Sequence, residues 1–236
     1  MLRHFSLVLF LSVCSLSQAQ TFKVFKGDTI NRVDAKGQKQ GLWRKYYSTD
    51  TLFSEGNYKN NKHVGTFKTY HRNGKLQSVL KFRGISEISD AELYTDSGQV
   101  MARGKYINHD KDSLWVYYNG NGEKNSEEFY LKGKKEGAWK LYYPGEKLAR
   151  VIHYKNDLKN GEFVEYFESG IIKMKGNMVN DSFEGMVFIN HPNGKTWQKG
   201  NYINGFREGK WQVFKEDGSL DYEEIYVKGD LKDPKE

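Results

Sequence analysis

The sequence has little of what usually stiffens a compact domain, with one cysteine and three prolines in 236 residues. The cysteine, Cys14, lies in an amino-terminal segment that we interpret below as a signal. Val13 before it is larger than the residue that usually precedes a lipid-modified cysteine. We therefore expect a mature chain without disulfides or thiolate chemistry. Three prolines against 24 glycines exclude rigid proline-rich linkers and indicate many turns.

The chain also lacks an apolar run that is long enough to cross a membrane as a helix. Its longest apolar segment, Phe5–Leu16, follows Arg3, and Ser17 and Ala19 then supply small residues at the −3 and −1 positions of a cleavage site. This order is typical of a secretory signal peptide, which we assign to residues 1–19. We expect an exported protein, either periplasmic, envelope-associated or secreted.

Aliphatic residues and blocks of one charge are scarce as well. Apolar residues make up only 37% of the chain, whereas aromatic residues reach 15%, which favours a thin structure held by large rings. Disordered chains are poor in aromatic residues, so this composition argues against disorder. The formal charge is +7, but lysines alternate with acids along the chain. Because a nucleic-acid surface needs a concentrated basic patch, we expect no nucleic-acid partner.

What the sequence does have is a repeat of 24 residues that runs eight times without insertion or deletion. We number each repeat from its first residue, a glycine or serine, as position 0. These first residues are Gly41, Gly65, Ser89, Ser113, Gly137, Gly161, Gly185 and Gly209. A fixed period of this size indicates units that bury their apolar faces against their neighbours. We assign residues 41–232 to the repeats, residues 20–40 to a half-repeat that caps the first, and residues 233–236 to a frayed tail.

Two turn signals in each repeat predict two antiparallel strands. Positions 8 and 9 carry pairs such as Asn73-Gly74, and positions 19 and 20 carry pairs such as Asn60-Asn61. Both are typical of two-residue hairpin turns, and the segments between them have the composition of strands. No segment keeps a helical period. The sequence therefore predicts an all-β fold, an elongated antiparallel meander of eight 24-residue β-hairpin repeats that is twisted or trough-shaped.

A two-residue turn at positions 8 and 9 pairs position 5 with position 12 and position 2 with position 15. Positions 2, 11, 15 and 17 then share a core face, on which the glycines of position 15 lie opposite position 2 of their own repeat. In this register the rings of Trp43 and Phe163 cover Gly56 and Gly176. The large side chains assigned to the structural core at position 2 are Trp43, Phe67, Trp115, Trp139, Phe163 and Trp211.

The opposite face is mostly charged, and position 5 places one column of tyrosines on it. Its members are Tyr46, Tyr70, Tyr94, Tyr118, Tyr142 and Tyr166. Two interpretations are open. The rings either pack over neighbouring strands and lysine stems, or they form a recognition stripe, since tyrosine is enriched where one protein surface grips another.

No spacing of polar residues suits catalysis or metal binding. His71 and His191 share position 6 but stand five repeats apart. Neighbouring acids such as Glu127 and Glu128 point to opposite faces of a strand, and Ser54 with its equivalents has no histidine column beside it. We therefore expect no enzymatic activity, no cofactor and no metal site.

With the columns aligned, the unit reads G-x-[WF]-x-x-Y-x-x-N-G, then a strand, then Y-x-N-G-x-x-x-G, as in residues 65–74 and 202–209. This unit resembles the MORN repeat (membrane occupation and recognition nexus), most closely the bacterial variant labelled a YwqK-type antitoxin, over residues 41–232. The resemblance implies a scaffold for proteins or phospholipid head groups, made of elongated hairpin sheets without catalytic residues. The antitoxin label implies neutralisation of a cytoplasmic toxin, which an exported chain does not meet.

The pattern Gly-x-Trp-x-x-Tyr-Tyr, at residues 41–47 and 137–143, also resembles the choline- and glucan-binding repeats of cell-wall proteins, whose units are usually shorter. Taken together, the sequence predicts an exported, non-catalytic repeat scaffold that binds an unknown protein partner. Two alternatives stay open. One is a module for envelope glycan, choline-like groups or anionic lipid, and the other is an antitoxin or immunity protein.

Overall fold

The computed structural model describes residues 20–25 and 27–232, and every regular element in these ranges is a β-strand. The signal peptide, Cys14 and the tail that the sequence predicts lie outside the described residues. No helix in the described ranges is long and apolar enough to cross a membrane. The strands are β1 Thr21–Phe25, β2 Asp28–Val33, β3 Lys39–Tyr46, β4 Leu52–Lys59, β5 Lys62–Tyr70, β6 Leu76–Phe82, β7 Ile88–Tyr94, β8 Val100–Ile107, β9 Asp110–Tyr118, β10 Lys124–Leu131, β11 Lys134–Lys135, β12 Gly137–Tyr142, β13 Leu148–Lys155, β14 Leu158–Tyr166, β15 Ile172–Val179, β16 Ser182–Phe183, β17 Gly185–Asn190, β18 Thr196–Ile203, β19 Phe206–Phe214, β20 Leu220–Val227 and β21 Asp230–Leu231.

These strands form one sheet in which neighbours in the chain are neighbours in space. Each pairing is antiparallel and joins a strand to the next one along the chain, from β1 with β2 to β20 with β21. Two short strands are exceptions, because β10 pairs with both β11 and β12, and β15 pairs with both β16 and β17. In both places a single expected strand is interrupted just before a position-0 glycine. The predicted meander of hairpin repeats is therefore confirmed, and the sheet that the described residues form is not closed on itself.

The turn at positions 19 and 20 is a two-residue turn, as predicted. At the first of these turns Lys59 pairs directly with Lys62, and Asn60 and Asn61 have φ angles of 51° and 67°. Positive φ at both central residues is the signature of a type I′ hairpin turn. The second repeat departs from this pattern, because the amide of Arg83 donates to the carbonyl of Ile88 around a longer loop.

The prediction of a two-residue turn at positions 8 and 9 is wrong. In the second repeat the amide of Gly74 donates to the carbonyl of His71 at 2.9 Å, and the amide of His71 donates to the carbonyl of Lys75 at 2.8 Å. These bonds define a three-residue loop, a type I turn followed by one residue in the left-handed region. Gly74 is that residue, with φ of 81°, and glycine adopts this conformation without a Cβ penalty.

The extra loop residue shifts the register by one position. Tyr46 pairs with Leu52, and Lys45 pairs with Ser54, so that Phe53 at position 12 is bulged out of the ladder. Position 11, which we placed on the core face, therefore pairs with the tyrosine of position 5, and position 5 does not pair with position 12. The predicted pairing of position 2 with position 15 holds, as in Trp43 with Gly56.

The glycines of position 15 are covered by a side chain of the next repeat. A Cβ on Gly56 would lie 2.1 Å from the ring of Phe67, and a Cβ on Gly104 would lie 2.2 Å from the ring of Trp115. The expected cover of Gly56 by Trp43 is thus wrong.

Gly176 is not covered by Phe163 of its own repeat either. Its nearest neighbours are Val187 and Phe183, which follow it in the chain. The ring or methyl group of one repeat therefore rests directly on the backbone of the strand before it, a contact that only glycine permits.

The second and third repeats make the same contact with the sizes of the two partners exchanged. Here position 15 is Leu80 and position 2 of the next repeat is Ala91, and the two residues pair directly. Both also belong to one apolar cluster with the buried Trp115. In this pair the small position-2 side chain leaves room for the large position-15 side chain, in agreement with close packing of protein interiors.

The core is a row of small clusters rather than one body. One cluster contains Ala91, Ala102 and Trp115, and another contains Ile152, Phe163 and Met178. Because the sheet is a single layer, each cluster is enclosed mainly by the side chains of adjacent repeats.

The indole N–H groups of position 2 add a second link between repeats. Trp115 donates to the carbonyl of Lys105 at 3.0 Å, and Trp139 donates to that of Phe129 at 2.9 Å, each at position 16 of the preceding repeat. Trp211 makes the equivalent bond. Trp43, in the first repeat, has a buried Nε1 without a hydrogen bond. The indole hydrogen bond is therefore made where a full repeat precedes the tryptophan, and it is absent at Trp43, which has no full repeat before it.

We expect Gly104→Ala to destabilise the chain by about 1–3 kcal/mol, because its Cβ overpacks the ring of Trp115. Gly120→Ala is the matched control, since a Cβ there meets nothing within 4 Å. Urea unfolding followed by tryptophan fluorescence compares the two variants. A double variant, Gly104→Leu with Trp115→Ala, copies the pair of Leu80 and Ala91. Its loss of unfolding free energy should be smaller than the sum of the losses in the two single variants. Equal free energies of unfolding for the two alanine variants would contradict the close contact of Trp115 with Gly104.

Candidate functional site

The single-layer sheet offers two broad surfaces as candidate sites. We call the side that carries positions 2, 13, 15 and 17 the tryptophan face, and the side that carries positions 1, 3, 5, 14 and 16 the tyrosine face. Residues paired across two strands point to the same side of a sheet, so the observed register assigns each position to its face.

The position-5 tyrosines close their strands on the tyrosine face. Tyr46, Tyr70 and Tyr94 are the last residues of β3, β5 and β7, and the others end β9, β12 and β14. All six are half-buried. Tyr46 lies against the cap, with its ring centroid 5.2 Å from that of Phe25. The structure thus brings the predicted column together as one row beside the three-residue loops.

The hydroxyls of this column bind to charged partners, often in the repeat before. Tyr70 donates to Oε1 of Glu55 at 2.8 Å, and Glu55 also accepts a bond from Nε of Arg44 at 3.3 Å. Tyr94 donates to Glu92 within its own repeat. These rings therefore contribute to the connection between repeats, which agrees with the packing interpretation of the column and leaves their edges at the surface.

Cations complete the same networks further along the chain. The guanidinium of Arg103 lies 5.6 Å from the ring centroid of Tyr118, and Nζ of Lys124 lies 5.0 Å from that of Tyr142. Lys124 and Lys140 both contact Glu127 at 3.2 Å. Burial raises the pKa of Glu127, but the hydrogen bonds from Lys140 and Lys124 outweigh burial and leave that pKa lowered.

Burial and carboxylate partners also change the acidity of two tyrosines. Burial, helped by the hydrogen bond to Glu127, raises the pKa of Tyr142 to about 12. The same two causes, with Glu55 as the carboxylate, raise the pKa of Tyr70 to about 12. A neutral phenol beside a carboxylate is the form that both effects favour.

Position 6 forms a set of clamps that the sequence did not reveal. The hydroxyl of Tyr47 donates to the carbonyl of Tyr70 at 2.8 Å, and the ring Nε2 of His71 bonds to the carbonyl of Tyr94 at 3.1 Å. Tyr143 and His191 make the same bond to the next repeat. The only available signal was that tyrosine and histidine each occur twice in this column, and both can donate to a carbonyl over a similar reach. The shared position of the two histidines is therefore structural.

The tryptophan face carries a row in which cations lie over aromatic rings. Nζ of Lys111 is 5.0 Å from the ring centroids of both Trp115 and Tyr130, and Nζ of Lys135 is 4.6 Å from that of Trp139. Lys39 and Arg207 occupy the same position beside the first and last repeats. Each cation is thus held by cation–π attraction between rings of its own chain.

Apolar side chains are exposed on the tyrosine face of the last repeats, around the turn at Asn204 and Gly205. We call them the apolar patch, and they are Met186, Ile203, Phe206, Ile225 and Val227. Phe206 is 57% exposed and Met186 is 51% exposed. Ile203 and Phe206 pair across the two strands of the hairpin, so the patch includes neighbouring side chains. Soluble monomers rarely expose such groups together unless they bind something.

Polar chemistry is sparse by comparison. Among residues 20–25 and 27–232, no three His, Cys, Asp or Glu side chains gather into a possible metal site. The serines of position 13 serve as small buried groups, and the hydroxyl of Ser78 shares a hydrogen bond of 2.7 Å with that of Thr69.

Comparison with known proteins identifies the repeat itself. A family model described as a MORN repeat variant matches more than half of the chain, at residues 39–60, 64–83, 135–156, 159–180, 183–204 and 207–228. The unmatched stretch, residues 84–134, includes the two repeats that begin with serine, and the structure shows the same strands there. No curated protein matches the sequence.

Among solved structures, the crystal structure of the GtfA/B complex bound to UDP and GlcNAc contains a chain that is similar at 15% identity, with a TM-score of 0.22. The similarity covers 50% of this chain and 23% of that chain.

The raised pKa values predict a loss of stability at alkaline pH. The folded chain keeps the proton of Tyr142 up to about pH 12, whereas an unfolded tyrosine releases it near pH 10. The stability present below pH 10 is therefore lost as the pH rises toward 12. Tyr142→Phe should cost about 1 kcal/mol at pH 8, from the lost hydrogen bond, and should then decline less between pH 9 and pH 11.

Urea unfolding at a series of pH values measures both effects. Tyr222→Phe, at a half-exposed tyrosine, is the control and should follow the unmodified chain. An identical alkaline decline in Tyr142→Phe and the unmodified chain would contradict the assignment.

Proposed function

We propose, because this chain belongs to the MORN repeat variant family, that it is an exported, non-catalytic scaffold that binds a protein partner through its tyrosine face. Repeats of this family typically serve as protein or membrane interaction modules. A regular array suits this role, since it presents equivalent side chains at fixed intervals over a long surface.

The apolar patch is the observation that carries the choice of face. It lies on the same side as the tyrosine column, so that aromatic edges and exposed aliphatic groups share one surface. Aromatic anchors surrounded by charged side chains are the usual composition of a protein interface. The cations of the tryptophan face, by contrast, already contact rings of their own chain.

The row of rings and cations on the tryptophan face favours a second candidate function, the binding of envelope glycan, choline-like groups or anionic lipid. Sedimentation with anionic liposomes or with envelope fractions distinguishes it from protein binding. The antitoxin role fits less well, because an exported chain does not meet a cytoplasmic toxin.

Loss of the patch should weaken partner capture without unfolding the sheet. We expect Ile203→Thr with Phe206→Thr to reduce the protein retained from the native envelope at least about tenfold, since exposed anchors carry most of an interface's energy. The melting temperature should change little, because both side chains are exposed and threonine suits a strand.

Leu114→Thr with Leu131→Thr is the matched control, two exposed leucines on the same face in the fourth repeat. This control should capture as much partner as the unmodified chain. An equal loss of partner capture in both double variants, or no loss in either, would contradict the assignment of the apolar patch as the binding site.

Export is tested on the protein itself. Cleavage after Ala19 should leave a mature chain that begins at Gln20, since the small residues Ser17 and Ala19 mark the site. Mass spectrometry of the protein recovered from the envelope or medium measures this end directly. Recovery of the intact chain from the cytoplasm alone would contradict export.

A further inference from the structure

The third repeat carries the smallest position-2 side chain of the tryptophan face. Position 2 is Ala91 there, whereas the adjacent repeats have Phe67 and Trp115. A cavity of about 260 Å³ lies on this face beside the apolar cluster that contains Ala91. The side chains that line it include Leu80, Phe82, Leu93, Tyr106, Ser89 and Glu87. Four of these are apolar or aromatic, so the cavity has a largely apolar wall and a small polar portion.

The row of cations on the tryptophan face is also interrupted beside Ala91. Lys111 and Lys135, which hold their ammonium groups over tryptophan and tyrosine rings, stand at position 22. The residue at position 22 beside Ala91 is Glu87. Two substitutions therefore coincide, a methyl group in place of a large ring and a carboxylate in place of an ammonium.

Among the polar groups that line the cavity, the carboxylate of Glu87 is available to a ligand, whereas Ser89 is buried. Ser89 is 1% exposed and lines the cavity. The nearest cation to Glu87 is Lys62, whose Nζ lies 3.9 Å away, and the two side chains are 43% and 52% exposed. Such an exposed pair at long distance is weak and screened by salt. His109, which also lines the cavity, is exposed.

We propose that this cavity binds an organic cation with a flat apolar body, whose ring packs against the apolar wall of the cavity and whose ammonium group contacts Glu87. The ligand supplies beside Glu87 a ring and a cation like the pair that Trp115 and Lys111 form in the next repeat. A volume of about 260 Å³ is below the usual range for drug-sized ligands, so the site accommodates one ring system with a short arm. Either a free arylalkylamine or the aromatic and basic end of a peptide has this chemistry.

The site lies on the face opposite the apolar patch. The proposal therefore goes beyond the scaffold function, and either can fail without the other.

Tryptamine is the first probe, measured by calorimetric titration against the full mature chain. We expect saturable binding that is about tenfold tighter than binding of indole-3-propionate, which has the same ring and the opposite charge. The formal charge of the chain, +7, would favour the acid without any specific site, so a preference for the amine has to arise locally. A blocked Lys-Trp dipeptide forms the second arm, and the tighter of the two cationic probes identifies the source of the ligand.

Two variants close the site by copying neighbouring repeats. Leu80→Gly with Ala91→Trp reproduces the pair of Gly104 and Trp115, and replaces the Leu80 wall of the cavity by an indole ring. Glu87→Lys reproduces the ammonium of Lys111 and changes an exposed side chain, so the fold is not at risk. Both should weaken tryptamine binding at least about tenfold, because each removes one half of the recognition.

Glu168→Lys makes the same charge change in an exposed loop of the sixth repeat and serves as the control, with tryptamine binding expected to stay unchanged. Circular dichroism confirms that each variant keeps its strands. The proposal is overturned if no cationic probe saturates at millimolar concentration, if indole-3-propionate binds as tightly as tryptamine, or if Glu87→Lys binds tryptamine as well as the unmodified chain does.

Discussion

The contact between the position-2 side chain of one repeat and position 15 of the repeat before it, most often a bare glycine, is the interaction on which this fold depends. A single-layer sheet cannot bury its rings against a second layer, so it has to bury them along its own length. The rings of Phe67 and Trp115 solve this problem by lying on Gly56 and Gly104 of the preceding repeat. Each such contact hides the ring, shields the backbone hydrogen bonds beneath it and fixes the lateral position of the next hairpin.

The remaining links between repeats act at the ends of the hairpins. At one edge, the side chains of position 6 bond to the carbonyl of position 5 in the next repeat, as Tyr143 does with Tyr166. At the other edge, acids of position 23 accept the backbone amide of the following turn, as Glu208 does from Lys228 at 2.7 Å. These bonds satisfy loop groups that a sheet ladder leaves unpaired. Loops that would otherwise fray are therefore tied to their neighbours at the same 24-residue interval.

Most of the architecture was accessible from the sequence because the period aligns equivalent residues. The number of hairpins, the type I′ turns and the pairing of Trp43 with Gly56 all follow from it. The loop at Asn73 and Gly74 was misread because an Asn-Gly pair suits both a two-residue turn and a type I turn with a left-handed third residue. The extra loop residue places Leu52 opposite Tyr46, on the tyrosine face. A leucine is acceptable on either side, so composition did not reveal the error.

The pairing of residues across strands could not predict which neighbouring strand the position-2 rings contact. Register assigns a side chain to a face, but the ring of position 2 can lean toward either neighbouring strand. One signal for the direction is the pair of Leu80 and Ala91, in which a large residue at position 15 precedes a small residue at position 2 of the following repeat. The tyrosine column was found from its spacing alone. Its carboxylate partners Glu55 and Glu127 both stand at position 14, but this position holds valine, arginine or lysine in most other repeats, so no acidic column is visible.

Packing between nearest neighbours also explains how one repeat can change without disturbing the others. In a domain with one core, replacing a tryptophan by alanine leaves a cavity that many residues feel. Here the change at Ala91 is matched by Leu80 in the adjoining strand, and Trp115 in the next repeat stays fully buried. The array therefore confines the altered ring, the altered charge of Glu87 and the cavity to one interval. The stability of each repeat depends on its immediate neighbours and not on a common core. A long surface can therefore carry both a repeated binding face and one specialised cavity.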